Sequence, residues 1–392
     1  MMRTVLLGDI VRIRRGASPR PIQDYIQSTP GVPWVKIADA TSANSRFISS
    51  TKEYIKEDGR RKSVEVSPGT LILSNSATPG LPMIMKIEAC VHDGWLVLDE
   101  LKGVDRDWLY YFLLNRREIS AKAASGSVFS NLKTDIVRRF EVLLPPIGQQ
   151  KKIANILGSL DEKIELNRRM NETLEQLGQT IFRYHFIANP EVKNWPIVKV
   201  GDILSELQSG SRPKGGAVEL GVPSIGAENI IGLGKYDYSK EKYISEDFFN
   251  KLSRGIVNSE DVLLYKDGAY VGKKSLFMNG FPHKKCAVNE HVFILRANPK
   301  LRSQFFLYFW LDQSSITKKI IDAGVKAAQP GINQSNVNSL PILLPPEESV
   351  KKFDNEISPI MEMIFSNAVE SNHLATFRDA LLPKLISGEI EV

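Results

Sequence analysis

The sequence predicts an α+β protein in which two similar mixed α/β domains are separated by a long antiparallel two-helix coiled coil. The whole forms a tandem repeat with a pseudo-two-fold. Three observations predict this. The chain of 392 residues repeats itself at an offset near 200. Each copy is rich in short apolar runs bounded by Gly, Pro, Asn and Asp. Each copy also ends in an LLPP segment followed by about forty residues of helical pattern. The boundaries are 1–146 for the first domain, 147–186 for the central helix, 187–346 for the second domain, and 347–392 for the C-terminal helix and tail.

The first copy opens with LLGDIVRIRRG, a first strand whose apolar stretch is too short and too soon charged for a signal peptide. Gly8-Asp9-Ile10 is answered by Gly201-Asp202-Ile203, and Gly31-Val32-Pro33 by Gly221-Val222-Pro223. PGTLILSNSATPG aligns with SEDVLLYKDGAYVG, and WLYYFLLNRREIS with FFLYFWLDQSSIT. Runs such as GTLILS and EHVFILR read as strands. One amphipathic helix per copy (107–118 and 303–313) and a short helix before each LLPP strand complete the domain.

After FEVLLPP, the residues Ile153, Leu157, Leu160, Ile164, Asn167, Asn171, Leu174, Leu177 and Ile181 recur at spacings of three and four. Two hundred residues on stand Phe353, Ile357, Ile360, Ile364, Asn367, Ser371, Leu374, Phe377 and Leu381. This is the 3.5-residue period of a coiled-coil seam. The same stripe would also suit two surface helices packed on their own domains, although its recurrence in register favours pairing. Because the ends of a compact domain usually lie close together, the helices should run antiparallel, setting Asn167 against Asn367. Pro359 should kink the second helix. Forty helical residues span roughly 60 Å, and the seam about 42 Å. Two domains so held could touch one DNA duplex at points about 12 to 18 base pairs apart.

Charge fits that use. The net charge is +6. Residues 1–146 carry 21 Lys+Arg against 16 Asp+Glu, and 187–346 carry 20 against 15, so the positive excess falls in the two domains. Two cysteines without a CxxC pair point to a reducing compartment, and no apolar run is long enough to span a membrane, so a cytoplasmic protein is expected.

The phrase LLPPIGQQKKIANILGSLDEKIELNRRMNETLEQLGQTIFRYHF resembles the central region of the specificity subunits of type I restriction-modification systems. LLPKLISGEI (381–390) resembles their C-terminal region, and with the repeated GDI and GVP segments the resemblance spans the chain. Gly148-Gln149 stands where that family commonly has Glu-Gln. The resemblance implies that 1–146 and 187–346 are target recognition domains, each reading half of an asymmetric bipartite site on double-stranded DNA. It implies that the helices set the gap and dock two modification (adenine methyltransferase) subunits, with restriction (nuclease and translocase) subunits joining. S-adenosylmethionine, ATP and Mg then belong to those partners, with no cofactor in this chain. A specificity module of a type IIB enzyme and a non-DNA coiled-coil scaffold with two protein-binding domains are the alternatives.

Base reading needs donors and acceptors on loops, and phosphate binding needs cations. The candidates in the first domain are Arg14, Arg15, Arg20, Ser74, Asn75, Ser130, Asn131 and Lys133. In the second they are Ser211, Arg212, Lys214, Lys266, Lys273, Lys274, Asn333 and Gln334. Solvated surface charge is the plain alternative for each. The loops after Gly16 and Gly210 should occupy equivalent places, as should 74–80 and 265–272.

Catalytic motifs fail. LLPPIG and LLPPEE lack the polar and aromatic residues of a methyltransferase Asn/Asp-Pro-Pro-aromatic motif. GAYVGKKS (268–275) is one residue short of a phosphate loop and lacks Ser/Thr after its first Lys. His283, Cys286 and His291 have no credible fourth metal ligand. A non-catalytic subunit with no metal site is therefore expected.

Overall fold

The computed structural model describes residues 2–43, 45–125, 131–325 and 331–392, with the side chains of 123–125 left aside. It falls into two compact units, Met1–Glu165 with Leu374–Val392, and Leu166–His373.

In the first unit, Arg3–Leu6 pairs antiparallel with Glu141–Leu144, so the opening strand is fastened to the LLPP strand. A five-stranded sheet runs in the order Arg12–Arg15, Trp95–Asp99, Leu71–Ser74, Pro82–Met85, Phe47–Ile48. It is antiparallel except at its last pair. A second five-stranded sheet has Val32–Val35 at its centre, beside Glu53–Ile55 and Ala89–Val91. Leu71–Ser74 and Pro82–Met85 are buried at every position, as strands covered on both faces should be. The expected helix is present as Arg106–Asn115, started by Asp105, whose carboxylate accepts from the amides of Asp107 and Trp108. A second helix, Arg117–Ser125, follows at once. The core gathers Trp108, Tyr111 and Leu96 together with Ile153 and Leu157 of the first long helix and Leu382, Leu385 and Ile386 of the second.

The second unit repeats this plan. A four-stranded antiparallel sheet runs Leu204–Ser209, Val292–Ala297, Asp261–Tyr265, Lys274–Phe277. Val222–Ile225 lies between Tyr243–Ile244 and Ala287–Val288, and Ile197–Lys199 pairs with Pro341–Leu343. The helix Gln304–Asp312 is again followed by another, Ser314–Val325. One helix per copy was thus an undercount. Each pattern continues after a single non-helical residue, Arg116 or Gln313, which no Gly or Pro announces.

Ser303 starts Gln304–Asp312: its Oγ accepts from the Phe306 amide at 2.9 Å and donates to Asp354 at 2.6 Å. Burial pushes the Asp354 carboxyl up to about 6, against the opposing effect of the Ser303 bond. A carboxyl whose pKa rises on folding contributes stability below its unfolded pKa and loses that contribution as pH climbs through the folded value. Asp354→Asn should therefore stabilise this unit by about 1 kcal/mol at about pH 7.5, after discounting for partial exposure, and by nothing near pH 4. Urea midpoints at the two pH values measure this, and an equal shift at both would refute it.

The long helices run Ile147–Phe186 and Glu347–Ser387, the second continuous through Pro359. In the second unit they pair antiparallel: His185 meets Glu356 at 3.1 Å, and Asn171 Nδ2 donates to the Ile364 carbonyl at 2.9 Å. In the first unit Asp161 meets Arg378 in the same sense. Ile153, Leu157, Phe353, Ile357 and Ile364 are fully buried, while Leu160, Leu174, Ile181, Ile360, Leu374 and Leu381 are half-buried. Ile164 is half-buried too.

Two seam expectations need correcting. Leu177 and Phe377 are 45% and 55% exposed, and the buried positions are instead Phe182 and Leu382, one residue beyond Ile181 and Leu381. A helix of 3.6 residues per turn drifts about 20° per heptad against a 3.5 repeat, so the buried stripe moves by one position toward each helix end. The Asn pairing is also shifted by one turn. Asn367 Nδ2 donates to Asn171 Oδ1 at 2.9 Å, while Asn167 Nδ2 donates to Glu370 at 2.7 Å and Ser371 Oγ at 3.3 Å and meets Asn367 at its backbone carbonyl, at 3.5 Å.

A candidate nucleic-acid interface

In the first unit, the loops that the sequence singled out meet at one end of the five-stranded sheet, around the turn His92-Asp93-Gly94. The Gly16 amide donates to the Trp95 carbonyl at 2.8 Å, and a Cβ on Gly16 would lie 2.2 Å from the His92 carbonyl oxygen. Only glycine permits that approach. Asn75 holds the turn from the other side: its amide donates to the Gly94 carbonyl at 2.8 Å and its Nδ2 to the Asp93 carbonyl at 3.0 Å. The Asn75 carbonyl accepts from the Leu132 amide at 2.8 Å, which brings Asn131 and Lys133 to the same place.

Asp93 organises the cations. Its carboxylate accepts from Ser18 Oγ at 2.6 Å and lies 3.8 Å from Arg15 and 3.5 Å from Arg20. Burial works to raise its pKa, but the Ser18 hydroxyl, a backbone hydrogen bond, His92 and Arg20 outweigh that and hold it below the usual carboxylate range. Arg15, Arg20 and Lys133 are exposed there.

The second unit builds the same arrangement with other residues. A Cβ on Gly210 would meet the Val288 carbonyl oxygen at 1.7 Å. The Lys266 amide donates to the His291 carbonyl at 3.0 Å, and the Lys266 carbonyl accepts from Ile332 at 2.7 Å. These bonds correspond to those of Asn75. His291 Nδ1 lies 2.7 Å from Asp267, and Arg212 lies 3.6 Å from Glu290. Between them opens a cavity of about 190 Å³, lined in part by Ser211, Arg212, Lys242, Asn289 and His291. Lys242 donates to Glu228 at 2.9 Å; burial works to raise that carboxyl, and a backbone bond and Lys242 keep it lowered. Lys214, Asn333 and Gln334 are exposed on the neighbouring loops, and Lys273 is half-buried.

Several candidates have structural partners instead of free polar groups. Ser74 is fully buried; its Oγ donates to the Thr78 carbonyl and accepts from the Leu81 amide, closing the 74–80 loop on itself. Asn75 is 3% exposed. Arg14 sits on Asp99 at 2.7 Å, at the end of strand Trp95–Asp99 away from the loops. Lys274 is 8% exposed, with Nζ 3.2 Å from Asp312 and 2.9 Å from Thr317 Oγ1, so the second lysine of the phosphate-loop-like segment is buried. Asn333 caps the helix Gln334–Asn338, and Gln334 Nε2 donates to the Leu207 carbonyl at 2.8 Å. Ser130 lies outside the described residues. Of the metal-like trio, His283 meets Glu241 and Cys286 is buried. Sequence reasoning missed Asp93 and Glu290 and weighed His291 only as a metal ligand; the signal was a polar turn, HDG or NEH, directly before an apolar strand in both copies.

Two homologous domains, each gathering four loops and exposed cations at one end of a rigid sheet, define a tandem recognition protein on paired helices. Comparison with known proteins names the class. The family described as type I restriction modification DNA specificity domain matches residues 2–176 and again 192–375. The chain belongs to this family, and its role is DNA recognition within a type I restriction-modification system. It is 26% identical to the type I restriction enzyme MjaIX specificity subunit of Methanocaldococcus jannaschii, over 98% of this chain and 93% of that one. It is 25% identical to the HindI specificity subunit of Haemophilus influenzae, over 69% and 73%. The fold is shared with the crystal structure of a type I restriction-modification S subunit from M. genitalium, at a TM-score of 0.60, 14% identity, and coverage of 98% and 96%. Neither the type IIB module nor the protein-binding scaffold is favoured.

Proposed function

We propose that each domain reads one half of a bipartite asymmetric DNA site and that the long helices set the gap and dock two adenine methyltransferase subunits, with a nuclease and translocase subunit able to join. The carrying observation is that both units converge their loops and exposed cations in the same way while filling those loops with different residues. Shared scaffolds suit a common docking mode, and different loops suit different half-sites. Arg15, Arg20 and Lys133 in the first domain, and Arg212, Lys214, Lys266 and Lys273 in the second, face the duplex; Asn131 and Ser211 are the polar readers beside them. The chain catalyses nothing itself, and S-adenosylmethionine, ATP and Mg are held by its partners. Among the described residues no helix is long and apolar enough to cross a membrane, and work on chromosomal DNA places the protein in the cytoplasm.

The test is genome-wide mapping of methylated adenines in cells with and without this chain, its modification subunit present in both. Loss of one two-part motif with a fixed gap is the expected result. An unchanged methylation map beside an active modification subunit would overturn the reading.

A further inference from the structure

The segment 265–273 does something that its counterpart in the first domain does not. After strand Asp261–Tyr265 the chain projects a short finger with Gly268 (φ +62°) and Gly272 (φ +89°) at its two ends. Between them Tyr270 is 52% exposed, although a tyrosine ordinarily buries most of its ring. The ring is held in place. Lys273 Nζ lies over its face, 4.3 Å from the centroid, and Tyr265 meets it edge-on at 6.3 Å. Tyr265 in turn neighbours His291 at 6.4 Å, and Lys266 lies over Phe293. One cation thus covers one face of Tyr270 and leaves the rest of an oriented aromatic ring in solvent, beside the loops of the second recognition site. The equivalent first-domain loop, Asn75 to Gly80, carries Ser, Ala, Thr and Pro and no aromatic residue.

A pre-oriented ring backed by an ammonium fits one ligand chemistry here: the face of a nucleobase, electron-rich and flanked by phosphate. We propose that Tyr270 is a specificity-determining residue that stacks against a base at a locally unstacked step of the second half-site. This rests on the DNA-reading role of these loops. The second half-site is then chosen partly by how readily one step opens, while the first is read without such a contact. Lys273 positions the ring and meets the adjoining phosphate.

The experiment uses the full chain with its modification subunit and duplexes carrying the motif found by methylation mapping. Tyr270→Ala should weaken binding about tenfold and make one base position of the second half-site degenerate, leaving the first half-site intact; Tyr270→Trp should keep selectivity. An abasic position or mismatch that opens the step in advance should tighten wild-type binding several-fold and leave Tyr270→Ala unmoved. Unaltered selectivity and an unaltered mismatch response in Tyr270→Ala would overturn the proposal. Lys214→Ala is the control: if it lowers the salt dependence of binding while Tyr270→Ala changes nothing, the loop reading stands and the tyrosine proposal alone fails. If neither matters, the loop reading itself is wrong.

Discussion

Arg378→Met should destabilise the first unit by about 3 kcal/mol, because it strands a buried carboxylate. Arg378 donates to Asp161 Oδ1 at 2.6 Å, and the other oxygen of Asp161 accepts from Tyr111 at 2.6 Å. Arg46 donates onto the same Tyr111 oxygen at 3.0 Å and to Glu162 at 2.9 Å. The Asp161 side chain is 13% exposed and the Arg378 side chain 22%, so solvent replaces a lost partner only in small part. Burial lowers the Arg378 pKa, but Asp161 and Asp379 outweigh it and raise the pKa, so the charge persists throughout the accessible pH range. Breaking one side leaves the other charge uncompensated. Removing both, as Asp161→Leu with Arg378→Met, should recover most of the loss. Hydrogen exchange of the Trp95–Asp99 amides reports the unfolding free energy of this unit. A single-variant loss below about 1 kcal/mol would reduce the pair to an ordinary surface contact.

Phe182→Ala should cost the second unit about 4 kcal/mol, as large-to-small changes in a packed core do. Phe182 is fully buried on the first long helix. Its ring lies 5.2 Å from Phe186, 5.5 Å from Phe306, 5.8 Å from Phe309 and 5.7 Å from Phe353, so four rings line the hole it would leave. Phe182→Leu should cost about half as much. Urea unfolding followed by exchange of the Val292–Ala297 amides tests this, and equal losses for Ala and Leu would show that the cluster collapses around the gap.

At one equivalent position the two units fasten their domain bodies to the long helices by different chemistry. Tyr111 on the first domain meets Asp161, whereas two hundred residues past Asp161 stands Met361, fully buried in an apolar core. The sequence shows the change of polarity at this position but not the partners that Asp161 finds.

What the sequence shows well is whatever repeats locally: the duplicated strands, the LLPP segment, and helices long enough for their stripe to stand out. It shows poorly whatever depends on what lies opposite. Leu177 and Phe377 satisfy a heptad on paper but face solvent, since the stripe drifts around a 3.6-residue helix. Ser74 and Lys274 look like loop readers because they are polar and beside glycine. Lys274 is buried by Asp312 and Thr317, which no local window contains, and Ser74 by the way its own loop closes onto Thr78 and Leu81. Arg15 and Arg20 were legible as loop cations, while the carboxylate that gathers them, Asp93, lies more than seventy residues away.

The first unit has a timing problem built into its wiring. Leu382, Leu385 and Ile386 sit in one apolar cluster with Leu7, Trp108 and Leu157. During synthesis, the domain that leaves the ribosome first must therefore wait, with part of its interior uncovered, while more than two hundred further residues are made. Its last contacts close the most distant loop in the chain, at a correspondingly large entropic cost. The domain translated second holds its interior within one uninterrupted stretch, 166–373, and faces no such delay. Assembly order is thus the reverse of translation order: the domain begun first is the last to be completed.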